Sequence, residues 1–418
     1  MNRIGKINNY NFFAFFLYLT LILGFIFNEN LNFGSYYDWI NVYKIPINDF
    51  SLNFKETLLS YDQYGQRHSP IYLIFLSIFL KLGLSFEIIR IIHLHLCLSL
   101  ILIFYNCLKL VFKEVKAESL QLLSLIIFLS PTFRSLSIWP DSRLPGLIFF
   151  ILSIYFFLKF LSNSKIKYVW LNSISLIISS YISPNFCLFI IYFYFFYINK
   201  IDIKKLIPIT IFNLASAIPA FYYIFIMKIN FLIAGRTSGL DGDSIALSFN
   251  MADKIMIISS IILFHILPIL FSINIYKDFL FFIKKNIYKI LIFFIPLVYF
   301  FNYQLVFTGG GFFYQLSHLL FENNYLFYLI SLFSIILIWY FAKLSINNCI
   351  LIFLLIISNI QNTIYHKYYE PMFLIIFFVL FDKINLHLFF KEKNNFIYLY
   401  IFSLSYIFFR VFKIMYLI

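Results

Sequence analysis

Charge is what this sequence has least of: Asp, Glu, Lys and Arg together make up 12% of its 418 residues. A soluble globular chain carries about 25%. That shortage excludes an aqueous enzyme and a disordered tail. Cysteine is scarce too. Cys97, Cys107, Cys187 and Cys349 all lie inside apolar runs without CxxC spacing. A disulfide-stapled secreted module and a cysteine zinc site are therefore excluded, and the four read as small apolar packing residues. Also missing are a repeat of roughly 20–50 residues, a heptad pattern and a low-complexity linker. An Ile, Phe and Asn bias runs throughout and lowers the information in each of those residues.

What remains is apolar. The chain is 62% hydrophobic, with 59 Phe and 32 Tyr. A membrane crossing needs about 20 apolar residues. The composition therefore predicts an all-α, polytopic integral membrane protein, a single membrane-embedded domain over 1–418 with about thirteen transmembrane helices. The formal charge of +14 does not point to nucleic acid. Its lysines are scattered in short gaps between apolar runs, as at Lys204-Lys205 and Lys284-Lys285, which is the pattern of cytoplasmic loops under the positive-inside rule.

The N-terminal MNRIGKINNY precedes the apolar run Asn11–Phe27. That run ends in Phe27-Asn28-Glu29 and lacks the small residues of a cleavage site, so it reads as an uncleaved first helix with its basic end in the cytoplasm. Further candidate spans follow at 88–112, 119–135, 144–161, 170–183, 185–199, 206–228, 254–276, 287–303, 325–342, 347–363, 371–386 and 396–415. The two at 170–183 and 185–199 are short and hinged at Pro184.

Topology turns on Pro70–Leu84, which is apolar but interrupted by Lys81 and Gly83. If it crossed the membrane, Lys109, Lys113, Lys116, Lys165, Lys167, Lys200, Lys204 and Lys205 would fall outside. If it lies along the surface, they become cytoplasmic. Lysine in short loops sets orientation, so 70–84 is read as a juxtamembrane helix. The first outer loop is then 28–87, and 88–418 supplies the remaining transmembrane helices. This arrangement puts about 19 of 32 basic residues inside and about 12 of 18 acidic residues outside.

The outer loops become 28–87, 134–143, 229–253, 304–324 and 364–370, and the first two carry the best candidate chemistry. Gly34-Ser35-Tyr36-Tyr37-Asp38-Trp39 puts a carboxylate just past the first helix, and Arg67-His68-Ser69-Pro70 closes the same loop. In the second, Asp141 stands between Arg134 and Arg143. A carboxylate beside apolar surface gains proton affinity, which suits a general base. Arginines beside it suit a phosphate or diphosphate leaving group.

A third cluster is Tyr365-His366-Lys367-Tyr368-Tyr369-Glu370-Pro371. Its His366, Lys367 and Glu370 are candidates to grip a lipid phosphate; the bland alternative is a tyrosine-rich interfacial belt. Arg90 and His93 share a helical face at the start of a span, with His95 nearby, and intramembrane ionisable residues are functional suspects. For Arg90 the alternative is snorkelling to the interface. Gly309-Gly310-Gly311 has no following Lys-Ser/Thr, so it reads as a flexible outer loop and not a phosphate loop. Asp241 and Asp243 read as a solvated turn, since two carboxylates do not make a cation site.

Asp38 followed by Arg67-His68-Ser69-Pro70-Ile71-Tyr72-Leu73 resembles the first outer loop of GT-C-type glycosyltransferases, where an acidic motif precedes an HPPLYY-like segment on a juxtamembrane helix. Ser130-Pro131 through Trp139-Pro140-Asp141-Ser142-Arg143-Leu144, then Phe149–Leu158, is similar to the second-loop pattern SP-x-SRYARPD and the helix after it. Ile88–Phe112, with Arg90 near its start, is similar to the ALRLPS span. The resemblance covers roughly residues 10–200 and points to the protein mannosyltransferase and aminoarabinose transferase group. It departs at Trp39, where those mannosyltransferases carry a second adjacent acid, and at Ser69, which replaces the first proline of HPP.

The resemblance implies a GT-C-like fold and a polyprenyl-phosphate sugar donor used on the outer face. By position it implies Asp38 as catalytic base and Asp141 as the second-loop acid. The expected function is transfer of a sugar to a lipid or glycan acceptor, with Arg67, His68, Arg143, Arg90, His366, Lys367 and Glu370 binding substrate. The expected location is the bacterial cytoplasmic membrane, with the site facing outward. Membrane lipids are partners and nucleic acid is not. No cofactor is called for, and a divalent metal is left open. The alternatives are a surface-polysaccharide polymerase, which would concentrate arginines in late outer loops, and a lipid-linked glycan flippase or transporter, which would show inverted repeats.

Overall fold

A computed structural model describes residues 9–32, 34–65, 68–231, 250–306, 309–359 and 361–416. The protein is all-α in these residues, apart from one antiparallel bridge between Gly309 and Tyr365. Among them, six helices are long and apolar enough to cross a membrane: Phe86–Val111, Arg143–Asn163, Ile203–Ile226, Met251–Leu270, Tyr325–Leu344 and Lys393–Met415. A seventh crossing arises if the bent pair Ala117–Leu129 and Pro131–Ile138 counts as one. These helices make the chain an integral, multi-pass membrane protein.

The chain opens with α1 (Asn9–Ile26), then folds the first polar stretch into four short helices. These are α2 (Gly34–Asp38), α3 (Lys44–Leu52), α4 (Phe54–Leu59) and α5 (Ile71–Lys81), with a π-turn at Trp39–Tyr43. At 11 residues, α5 is about 16 Å long, half of a bilayer core and too short to cross it. It ends at Gly83, whose φ of +82° takes the left-handed conformation that stops a helix. Ser85 then caps α6 (Phe86–Val111) by accepting from the Ile88 amide.

After α7 (Ala117–Leu125), Ser130 caps α8 (Pro131–Ile138) with Pro131 in the first turn, and the chain bends by 65°. Next come α9 (Arg143–Asn163), α10 (Ile166–Ile182), α11 (Ile190–Lys200) and α12 (Ile203–Phe221). The α9 helix packs between α6 and α10. Its contact with α10 is close because Gly146 has no side chain: a Cβ there would stand 2.7 Å from Ser183 Cβ. Asn172 donates to the Ser153 carbonyl at 2.9 Å and Ser179 to the Gly146 carbonyl at 2.7 Å, so polar side chains hold this apolar pair together.

The second half holds α13 (Met251–Leu270), α14 (Tyr276–Phe300), α15 (Gly311–Phe321), α16 (Tyr325–Leu344), α17 (Ile346–Ile357), α18 (Met372–Val379) and α19 (Lys393–Tyr416). Among the six long apolar helices α13 is the most enclosed, and it packs against α16, α15 and α19. By contrast, α12 and α19 present most of their apolar residues outward, where lipid is the available solvent.

Several expected spans come out shorter. Only Met372–Val379 is α-helical within 371–386, because the chain turns at Leu380 and Asp382 accepts from Asn347. The segment 347–363 stops at Ile357, and 119–135 breaks at Ser130-Pro131. The hinge at Pro184 is present as a 3₁₀ turn, Pro184–Phe189, between α10 and α11.

Candidate functional site

Four segments far apart in the chain deliver charged residues to one place. Asp38 ends α2, and His68 precedes α5. Asp141 and Arg143 straddle the start of α9, and Lys367 lies in the 3₁₀ turn His366–Tyr368 ahead of α18. Lys367 Nζ is 3.6 Å from Asp38 Oδ2. Arg143 Nη1 is 3.9 Å from Asp141 Oδ2, and the Arg143 backbone amide donates to Asp141 Oδ1 at 2.7 Å. The guanidinium of Arg143 lies 4.6 Å over the Tyr368 ring, and His68 stacks on Tyr43 at 6.5 Å.

These groups act on one another electrostatically. Burial alone would raise the Asp141 carboxyl, but Arg143, His68 and Lys367 outweigh it and hold the group at about 2. Lys367 is pushed below the usual lysine range by burial and by Arg143, with Asp38 and Asp141 opposing. The Tyr43 hydroxyl is pushed up by burial and then by Asp141. Asp141 is thus ionised at neutral pH, an enclosed anchor for cations. Asp38 keeps 27% of its side chain exposed against 4% for Asp141, so Asp38 is the carboxylate a substrate can reach. Two donors on Arg143, Nε and Nη1, are buried without a hydrogen-bond acceptor. An anion at this point would give them one.

A small cavity adjoins the cluster, and a large one meets the chain at the residue after His68. The small one, of about 30 Å³, is lined by Thr132, Arg143, Lys367, Tyr368 and Glu370. The large one, of about 740 Å³, runs between α10, α11 and α12, and its wall includes Ser69, Pro70 and Ile71, directly after His68. Most of that wall is apolar, with Leu176, Ile177, Leu188, Ile191 and Ile224 among its residues.

The clamps that hold the cluster lie just behind it. Arg134 makes a two-pronged pair with Glu29, both contacts at 2.6 Å, and also donates to the Thr20 carbonyl at 3.0 Å. Trp139 Nε1 donates to the Glu29 carbonyl at 2.8 Å, and Tyr36 packs edge-on against the Trp139 ring. Tyr72 on α5 hydrogen-bonds His93 Nδ1, while His93 Nε2 reaches the Leu136 carbonyl at 2.7 Å. With Nε2 donating to that carbonyl, Nδ1 is the acceptor and the Tyr72 hydroxyl the donor. This chain ties the His68 segment to the segment leading to Asp141.

Of the residues expected to bind substrate, His68, Arg143 and Lys367 join Asp38 and Asp141 in the cluster. Arg67 lies outside the described residues, as do Asp241 and Asp243. Arg90 sits elsewhere, between Phe25 at 4.7 Å and Trp139 at 3.8 Å, and donates to the Ile138 carbonyl and Asn28. Glu370 borders the small cavity but turns to Thr132, whose hydroxyl donates to it at 2.8 Å; burial raises its carboxyl, against the pull of Ser130 and Thr132. His366 is buried against His265, with ring centres 4.8 Å apart, and burial holds it well below the usual histidine range. Arg134 does not flank Asp141 as expected, because Glu29 takes it. The glycines at 309–311 are not a free loop either: Gly309 bridges to Tyr365 and the Gly310 amide donates to the Ile364 carbonyl at 2.9 Å.

Tyr43, which faces His68, went unread in the sequence, and Tyr368, which faces Arg143, was read only as part of a tyrosine-rich belt. Nothing separated them from thirty other tyrosines. Among the described residues no three His, Cys, Asp or Glu side chains come together to hold a metal ion. No family model, no curated protein and no solved structure matches the chain.

Proposed function

We propose that the protein is a membrane glycosyltransferase of GT-C type that moves a sugar from a polyprenyl-phosphate-linked donor to a lipid or glycan acceptor on the extracytoplasmic face. One observation carries this reading. A cluster of two carboxylates and three basic side chains stands one residue along the chain from an apolar cavity of about 740 Å³, whose wall includes Ser69 and Pro70, next to His68. A substrate with a long hydrocarbon chain and a charged phosphate head has that same division.

In this reading Asp38, paired with Lys367 and open to solvent, takes the proton from the acceptor hydroxyl as its oxygen attacks the anomeric carbon. The bond from that carbon to the phosphate oxygen breaks, and its electron pair leaves with the polyprenyl phosphate. Arg143, Lys367 and His68 offset the negative charge that builds on the phosphate. Asp141 keeps Arg143 in place and holds the cluster near neutrality before substrate arrives. The finer expectation of about thirteen crossings belongs to the same reading, with α1, α10, α11, α14, α17 and α18 supplying the other apolar segments.

The test is Asp38→Asn, assayed for sugar transfer from a polyprenyl-phosphate donor in membranes. Loss of a general base should lower the rate by about 10²–10⁴-fold. Undiminished transfer would remove Asp38 from this role. Substrate uptake into liposomes with no covalent product would replace the transferase with a transporter.

A further inference from the structure

The helix α14 changes character half-way along one face. Its buried stripe is regular: Phe279, Phe282, Asn286, Ile290, Phe294 and Leu297 recur every three or four residues. The opposite stripe is exposed throughout and carries Lys277, Phe281, Lys284, Lys285, Tyr288 and Lys289 in the first half. From Leu291 onward the same face is apolar, with Ile292, Ile295 and Tyr299 exposed. The apolar part, Leu291–Phe300, is about 15 Å long, half the thickness of a bilayer core. The lysines therefore begin where hydrocarbon-compatible surface ends.

We propose that the first half of α14 is a docking surface for the headgroups of anionic phospholipids. Charge identifies the occupant. Four lysines stand on this stripe against one acid, Asp278, and among the described residues none of the four makes an ion pair. Lys343, in the last turn of α16, adds a fifth cation beside it, 5.5 Å over the Phe282 ring. Phe281 and Tyr288 are 68% and 81% exposed between the lysines, which wastes apolar surface in water but not at the headgroup level. A basic stripe interleaved with aromatics is the pattern that binds a negatively charged membrane surface. A small soluble anion would use the charge but leave Phe281 and Tyr288 uncovered. This surface is independent of the sugar-transfer reading.

The test uses the full-length protein purified in detergent, with retained lipid counted by native mass spectrometry after mixing with phosphatidylglycerol or phosphatidylcholine. The wild type should retain phosphatidylglycerol in preference. The variant K284Q/K285Q/K289Q should lose about fivefold in that preference per lysine, on the order of a hundredfold in all. K284R/K285R/K289R, which keeps the charge, should retain it, and both variants should stay folded because the changed side chains are exposed. Equal retention of the two lipids by the wild type would overturn the proposal, as would an unchanged triple Gln variant. Inorganic phosphate or glycerol phosphate displacing the lipid at comparable concentration would overturn it too, since a free-anion site would then explain the lysines.

Discussion

Asp141→Asn separates charge from shape at the centre of the site. The amide oxygen of Asn can still accept from the Arg143 backbone amide, so the turn into α9 survives and the negative charge alone is lost. Asp141 is held at about 2 from an ordinary 3.8, nearly two pKa units. At 1.36 kcal/mol per unit, the ionised form contributes about 2 kcal/mol to the folded state. The folded value lies below the unfolded one. The contribution is therefore fully present above about pH 4 and is lost as the pH falls towards 2. The assay is the thermal midpoint of purified wild type and variant in the same detergent across that range. The variant should melt lower at neutral pH, and the gap should close progressively below about pH 4 as the wild-type carboxyl takes up its proton. Equal midpoints at neutral pH, or a gap that persists undiminished in acid, would refute the reasoning. Asp141→Ala removes the turn contact as well, and should cost about 1 kcal/mol more at every pH.

Arg134→Met leaves Glu29 as a mostly buried carboxylate with no counter-charge, and should destabilise by about 3 kcal/mol, read as a lower thermal midpoint. Arg134→Lys should fall between, because an ammonium cannot reproduce the two parallel contacts at 2.6 Å. Tyr72→Phe strips the donor from His93 Nδ1 in a site closed to water, at a cost of about 1–3 kcal/mol. It should also lower sugar transfer, since the same bond holds the His68 segment against the one leading to Asp141. Unaltered stability and transfer in that variant would show the contact to be incidental.

Class and site were legible to different depths. Composition was enough for an all-α membrane protein, because so little charge came with apolar runs long enough to cross a bilayer as helices. A short helix within 70–84 was also legible, since Lys81 and Gly83 interrupt the apolar run and positive φ at Gly83 ends it where expected. Helix lengths were less so. Hydropathy averages over a window and cannot see that Ser130 will cap a new helix at Pro131, or that Leu380 ends α18 after eight residues. The run at 119–135 thus came out as a bent pair, and the one at 371–386 as a helix of eight residues.

Which charges would meet was legible only in part, and Arg134 shows why. In the sequence its nearest acid is Asp141, seven residues on. But Arg134 lies within α8, which ends at Ile138, and the turn at Trp139–Ser142 carries Asp141 away to face Arg143, His68 and Lys367. The Arg134 side chain leaves α8 in the other direction and meets Glu29, 105 residues earlier, at the end of α1. Leaving a charge unpaired in an apolar interior costs several kcal/mol, so every buried charge in this chain must find a partner. Nearness in sequence does not decide which one, because helix packing does. The same pressure brought Asp38 to Lys367 across more than 300 residues. With so few charged residues to pair, a small set of helix contacts was enough to gather several of them at one cavity.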